Sequence, residues 1–120
     1  MTLAIKRAYD PPSDEDGVRI LVDRIWPRGI SKAAASIDEW RRDLAPTDEL
    51  RKWYAHDPTK WHEFRRRYIR ELEEGGKFPE IEKLAELVRT RNVTLITASK
   101  ALEISNAAAL KALIEELLRD

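Results

Sequence analysis

The chain contains no cysteine, which excludes a disulfide framework, a thiolate metal centre and a cysteine nucleophile. Its two histidines, His56 and His62, are too few for a histidine-rich metal site. Four glycines are too sparse to build a P-loop or a dinucleotide fingerprint. No apolar run approaches the ~20 residues of a membrane span. The first ten residues are charged from Lys6 onward and lack the apolar stretch of a secretion signal. Acidic and basic side chains balance at 22 each, so no net field draws the protein to nucleic acid or anionic lipid. These absences together predict a cytoplasmic protein with no membrane contact, no metal and no cofactor. Glutamine is also missing, methionine occurs once, and asparagine occurs only as Asn92 and Asn106. Few thermolabile residues beside 37% charged ones point to a thermophilic source.

What is present reads as a single domain over residues 1–120, since a chain of this length buries roughly two thirds of its unfolded surface in one core. A short strand is expected from Leu3 to Tyr9, followed by an exposed connection rich in proline and acids up to Gly17. Val18 to Asp23 is the clearest strand, β-branched and almost wholly apolar, as in a strand covered on both faces. Ser31 caps a helix through Lys32 to Ala35. The segment Ile37 to Leu44 fits a helix or an edge strand equally. Thr47 caps a short helix through Tyr54, and Asp57-Pro58 opens a longer one through Glu74. Its stripe of Trp61, Phe64, Tyr68 and Leu72 is apolar, and Gly75-Gly76 stops it. A further helix begins at Pro79. A strand spans Val93 to Thr97, and a last helix runs from about Glu103 to Leu118. Strands separated by long helical crossovers pair in parallel. The expected class is therefore α/β, a small, mostly parallel sheet flanked by helices.

Ligands of open α/β sheets sit beyond the carboxyl ends of the strands. That rule gives weight to Asp23-Arg24-Ile25-Trp26-Pro27-Arg28-Gly29 at the end of the second strand. Arg24 and Arg28 suit a phosphate or carboxylate, and the helix start at Ser31 and Lys32 offers unpaired amides to the same anion. The structural alternative pairs Asp23 with one of those arginines and sets Trp26 beneath the sheet. His56 beside Asp57 is an acid–base candidate, although Asp57 is already engaged as a helix cap. Ser99 and Lys100 follow the last strand and are weak as a nucleophile pair. Asn106 either caps the last helix or meets a ligand.

Three stretches carry a family resemblance: Arg24 to Lys32 around the tryptophan-proline-arginine-glycine turn, Leu44 to Pro58 continuing through Trp61, Phe64, Arg65, Tyr68 and Leu72, and Val93 to Ala107. Together they resemble the YeaO-like proteins, a bacterial and archaeal family. The resemblance implies a compact α/β fold and groups Arg24, Trp26, Arg28, His56 and Asp57, but it supplies no reaction. The regulatory role given to some members needs a winged helix-turn-helix, which a parallel core does not frame. This chain also has Ala101 and Ile104 where family members often carry Asp and His, which shifts weight from catalysis to binding.

The leading expectation is a protein that binds a small phosphate or carboxylate ligand; in the enzymatic form of that reading His56 is the catalytic candidate. Residues 41–70 carry nine positive and five negative side chains. That basic surface, through Arg41, Arg42, Arg51, Lys52, Arg65, Arg66 and Arg67, offers an alternative contact to nucleic acid, though such runs are more often solvated helix faces. A third reading is a non-catalytic interaction module, with Leu110 and Leu117 of the last helix forming a homodimer face.

Overall fold

The computed structural model describes residues 1–119. It contains four strands, β1 (Leu3–Arg7), β2 (Val18–Leu21), β3 (Glu39–Trp40) and β4 (Val93–Thr97), with helices α1 (Lys32–Ala35), α2 (Asp48–Tyr54), α3 (Trp61–Glu74), α4 (Phe78–Thr90) and α5 (Asn106–Leu118). All strand pairings are parallel and the spatial order is β1-β4-β2-β3. The mixed α/β class is that expected from the alternation of strands and crossovers.

Alternation along the strands separates two cores of unequal size. Val18, Ile20, Val22, Val93 and Leu95 face the larger one, which α2 to α5 cover with residues such as Tyr54, Phe64, Ile81 and Leu110. Leu21 and Ile96 face the smaller one, where Ala8, Trp26, Ile30, Ile37 and Trp40 pack. Every residue of β2 is buried, including Arg19, which a purely apolar reading of that strand does not account for. Arg19 donates to Asp16 at 2.5 Å and to the Ala35 and Ser36 carbonyls. It therefore satisfies the carbonyls at the end of α1, and Lys6 closes the cluster by donating to Asp16 at 3.1 Å. Gly17 sits here at φ +64°, and a Cβ on it would lie 2.1 Å from the Asn92 carbonyl oxygen. Only glycine lets β2 begin this close to the start of β4.

Several boundaries differ from the sequence reading. β1 ends at Arg7 because the chain turns at Asp10, whose backbone amide donates to the Arg7 carbonyl. The ambiguous segment after Ile37 becomes a two-residue strand on the sheet edge followed by a single 3-10 turn, Arg42–Leu44. The Asp57-Pro58 signal yields one 3-10 turn, Pro58–Lys60, before α3 begins. The last helix starts at Asn106 rather than near Glu103, because Ser105 accepts the Ala108 amide and so caps it. Asn106 is consequently not the cap. Leu110 is fully buried and so offers no exposed face for a homodimer, while Leu117 is half-buried at the edge of the main core.

Candidate functional site

The carboxyl ends of β1, β2 and β4 open into one cleft of about 350 Å³. β2 delivers Asp23 to Arg28 to one side, β4 delivers Thr97 to Ser99 to another, and α2 supplies Arg51 and Tyr54. His56 follows α2 and reaches the same rim, while Asn106 enters from the start of α5. Of the residues singled out in sequence, the cleft gathers Asp23, Arg24, Trp26, Arg28, His56, Ser99 and Asn106. Gly29, Ser31, Lys32, Asp57 and Lys100 do not line it.

The wall from Asp23 to Ile30 is pinned by both indoles of the small core. Trp26 donates its Nε1 hydrogen to the Ile30 carbonyl at 2.7 Å, and Trp40 donates to the Asp23 carbonyl at 2.7 Å. Their rings meet edge to face at 5.4 Å, a favoured aromatic geometry. Gly29, at φ +80°, supplies the left-handed residue that closes this turn.

Asp23 pairs with neither Arg24 nor Arg28. Its Oδ1 accepts from Thr97 Oγ1 at 2.8 Å and from Asn106 Nδ2 at 3.3 Å, and its Oδ2 accepts the Ala98 amide at 2.8 Å. Asn106 also donates to the Val22 carbonyl at 2.9 Å. The carboxylate thus lies at the positive end of the α5 dipole and ties β2 to β4. Arg24 is likewise partly spent. It donates through Nε to the Pro46 carbonyl at 3.1 Å and through Nη2 to the Ala45 carbonyl at 3.3 Å, which secures the loop before α2.

The arginines with freer heads are Arg28 and Arg51. Arg28 is exposed, and its side chain makes no ion pair among the described residues. Arg51 reaches Asp48 at 3.3 Å in an exposed pair, an interaction weak enough for a ligand to displace. Sequence reasoning left Arg51 out of the anion site, although its i,i+3 spacing from the buried Tyr54 places both on one helix face. Tyr9, Pro46, Tyr54, Phe64 and Thr97 were also missed, and the strand-end rule had pointed to the ends carrying Tyr9 and Thr97.

His56 is exposed and left-handed, at φ 57° directly after Ala55 at φ 45°. Asp57 does not assist it, because that carboxylate accepts from the Thr59 amide at 2.9 Å and the Thr59 hydroxyl at 2.7 Å. Tyr54 donates to the Ile104 carbonyl at 2.7 Å. Burial, with the nearby Asp57 charge, pushes its phenol up to about 12, so it stays neutral near pH 7. The Ser99 hydroxyl is buried without a partner among the described residues, and exposed Lys100 lies outside the cleft. No nucleophile with an adjacent base is assembled among these groups. Ile104 packs against the main core, and neither it nor Ala101 lines the cleft.

Part of the basic 41–70 surface is paired with acids. Arg41 pairs with Asp43 and Glu80, and Glu63 takes both Arg66 and Arg67. Arg42 and Arg65 lie over Trp40 and Trp61. Among the described residues no three His, Asp or Glu side chains cluster as a metal site, and no helix is long and apolar enough to cross a membrane.

A family model described as the inactive DUF488-N3 subclade matches residues 2–120. The uncharacterised protein YeaO of Escherichia coli K12 is 40% identical over 103 residues, covering 83% of this chain and 85% of its own. Uncharacterised proteins of Mycobacterium tuberculosis and Mycobacterium bovis are 40% identical over 110 residues, covering 92% of this chain and 91% of theirs. No solved structure matches the chain.

Proposed function

The chain belongs to the YeaO-like family, in the inactive DUF488-N3 subclade, and on that footing we propose that it is a non-catalytic binder of small anions. The observation that carries this reading is the convergence of Arg24, Arg28, Arg51 and His56 on one strand-end cleft whose single carboxylate, Asp23, is occupied by three donors. Guanidinium groups on a concave, partly apolar surface suit phosphate or carboxylate. The description of the subclade as inactive agrees with the absence of a nucleophile–base pair. In this reading Arg28 and Arg51 hold the anion, Arg24 supports the wall, and His56 adds a donor at the rim. The helix start at Ser31 and Lys32 plays no part, because α1 is a single turn outside the cleft. The composition supports a cytoplasmic setting and a thermophilic source.

Isothermal titration of the full chain with inorganic phosphate at low ionic strength tests the reading. A saturable, millimolar-range site is expected, with Arg28→Gln and Arg51→Gln each weakening it about tenfold through loss of a charge-assisted contact. Unchanged affinity in the double variant would remove the proposal.

A further inference from the structure

Among the described residues three large hydrophobic side chains stand exposed: Met1 at 74%, Ile25 at 59% and Tyr9 at 46%. Single exposed apolar residues are ordinary, but Ile25 and Tyr9 line the same cleft. Apolar surface gathered at a concavity marks a binding site. Both residues are held in place. The Tyr9 hydroxyl donates to the Arg28 carbonyl at 2.9 Å, and the Arg7 guanidinium lies 5.2 Å from the centre of its ring. Ile25 belongs to the segment fixed by the two indoles. The apolar surface continues through Trp26, Pro27, Pro46 and Ala98.

A bare phosphate would sit at the arginines and leave that wall in water. We propose that the ligand is an organic anion with a flat apolar body, an aryl carboxylate or aryl phosphate monoester, whose charged end meets Arg28 and Arg51 while its ring covers Ile25 and Tyr9. The proposal rests on the anion-binding reading and names the ligand class of the same cleft. The volume of about 350 Å³ lies at the small end of small-molecule sites and suits one ring system with its charged substituent. Charge and shape act together: the arginines select against a neutral ring, and the apolar wall selects against a naked anion.

The test compares phenyl phosphate with inorganic phosphate, and benzoate with acetate, by titration calorimetry of the full chain. Benzyl alcohol supplies the ring without the charge. Each aryl anion is expected to bind at least tenfold more tightly than its ringless counterpart, with benzyl alcohol undetectable at the same concentrations. The phosphate and carboxylate arms show which head group the arginines prefer. In Ile25→Ser, an exposed position where folding is not at risk, the aryl advantage is expected to fall below threefold. Equal affinity for phenyl phosphate and phosphate, both saturable, overturns the aryl proposal and leaves anion binding standing. Binding by none of the four anions overturns both.

Discussion

Replacing Asp23 by Asn separates the structural role of the strand-end segment from its role toward a ligand. The wild-type carboxylate accepts from Thr97, Asn106 and the Ala98 amide, at 2.8, 3.3 and 2.8 Å. An amide keeps one oxygen. It can serve Thr97 and Asn106, but its NH2 then confronts the Ala98 N–H, and flipping the amide only moves the conflict. One donor is left without an acceptor, and the α5 start loses its negative partner. Lost hydrogen bonds to a charged group are worth about 1.5–3 kcal/mol and the dipole contact about 0.3–1 kcal/mol. Because Asp23 is partly exposed, water recovers some of this, and a loss of about 2 kcal/mol is expected. With a urea slope of about 1–3 kcal/mol/M, the unfolding midpoint should fall by roughly 1 M with the slope unchanged. Urea unfolding followed by tryptophan fluorescence reads this directly. A variant within about 0.5 kcal/mol of wild type, on the scale of an ordinary surface substitution, would refute the claim that Asp23 ties β2 to β4.

The buried Asp16 cluster gives a pH-dependent prediction. Burial alone would raise the Asp16 carboxyl, but the Ser13 amide, Lys6 and Arg19 outweigh it and hold the group below the usual carboxylate range. A depressed folded value stabilises the protein above the unfolded value of about 3.9, and that contribution drains away as pH falls through the lower folded value. Asp16→Asn should therefore cost about 3 kcal/mol near pH 7, where it leaves Arg19 buried without its counter-charge. The gap to wild type should narrow below about pH 4, and a gap that stays constant in urea unfolding from pH 7 to 3 would contradict this. His56→Gly should do the opposite. Relief of a left-handed residue, about 1–2 kcal/mol, exceeds the flexibility cost of glycine, about 0.5–1 kcal/mol. The thermal midpoint should rise by a few degrees while phosphate affinity falls, and a lower midpoint would show that the turn is not strained.

Much of the fold was legible because its signals are local. The apolar runs of β2 and β4 and the helical stripe of α3 follow from which faces they bury, and Ser31, Thr47 and Asp57 each accept the backbone amide their positions predict. The strand ends were found by the same logic, which is why Asp23 to Arg28 drew attention. What sequence could not supply was direction. Nothing local says that Asp23 turns toward Thr97 and Ala98 rather than toward Arg24, or that Arg24 spends its donors on the Ala45 and Pro46 carbonyls. Those choices depend on residues about 20 to 80 positions away. Arg19 was hidden for the same reason, since its partners Ala35 and Ser36 meet it only once α1 folds back over β2. The adjacency of His56 and Asp57 misled in the other direction: two consecutive left-handed residues swing the chain, and the carboxylate serves Thr59 instead.

Occupancy of the strand-end cleft by a small anion is read out by a nitrogen-15 NMR titration of the full chain with phosphate at constant ionic strength. Phosphate bound there should give saturable shifts concentrated in the amides of Arg24 to Gly29, Ala98, Ser99 and His56. Shifts that fail to saturate, or that centre on the arginine-rich face of α3, would contradict it.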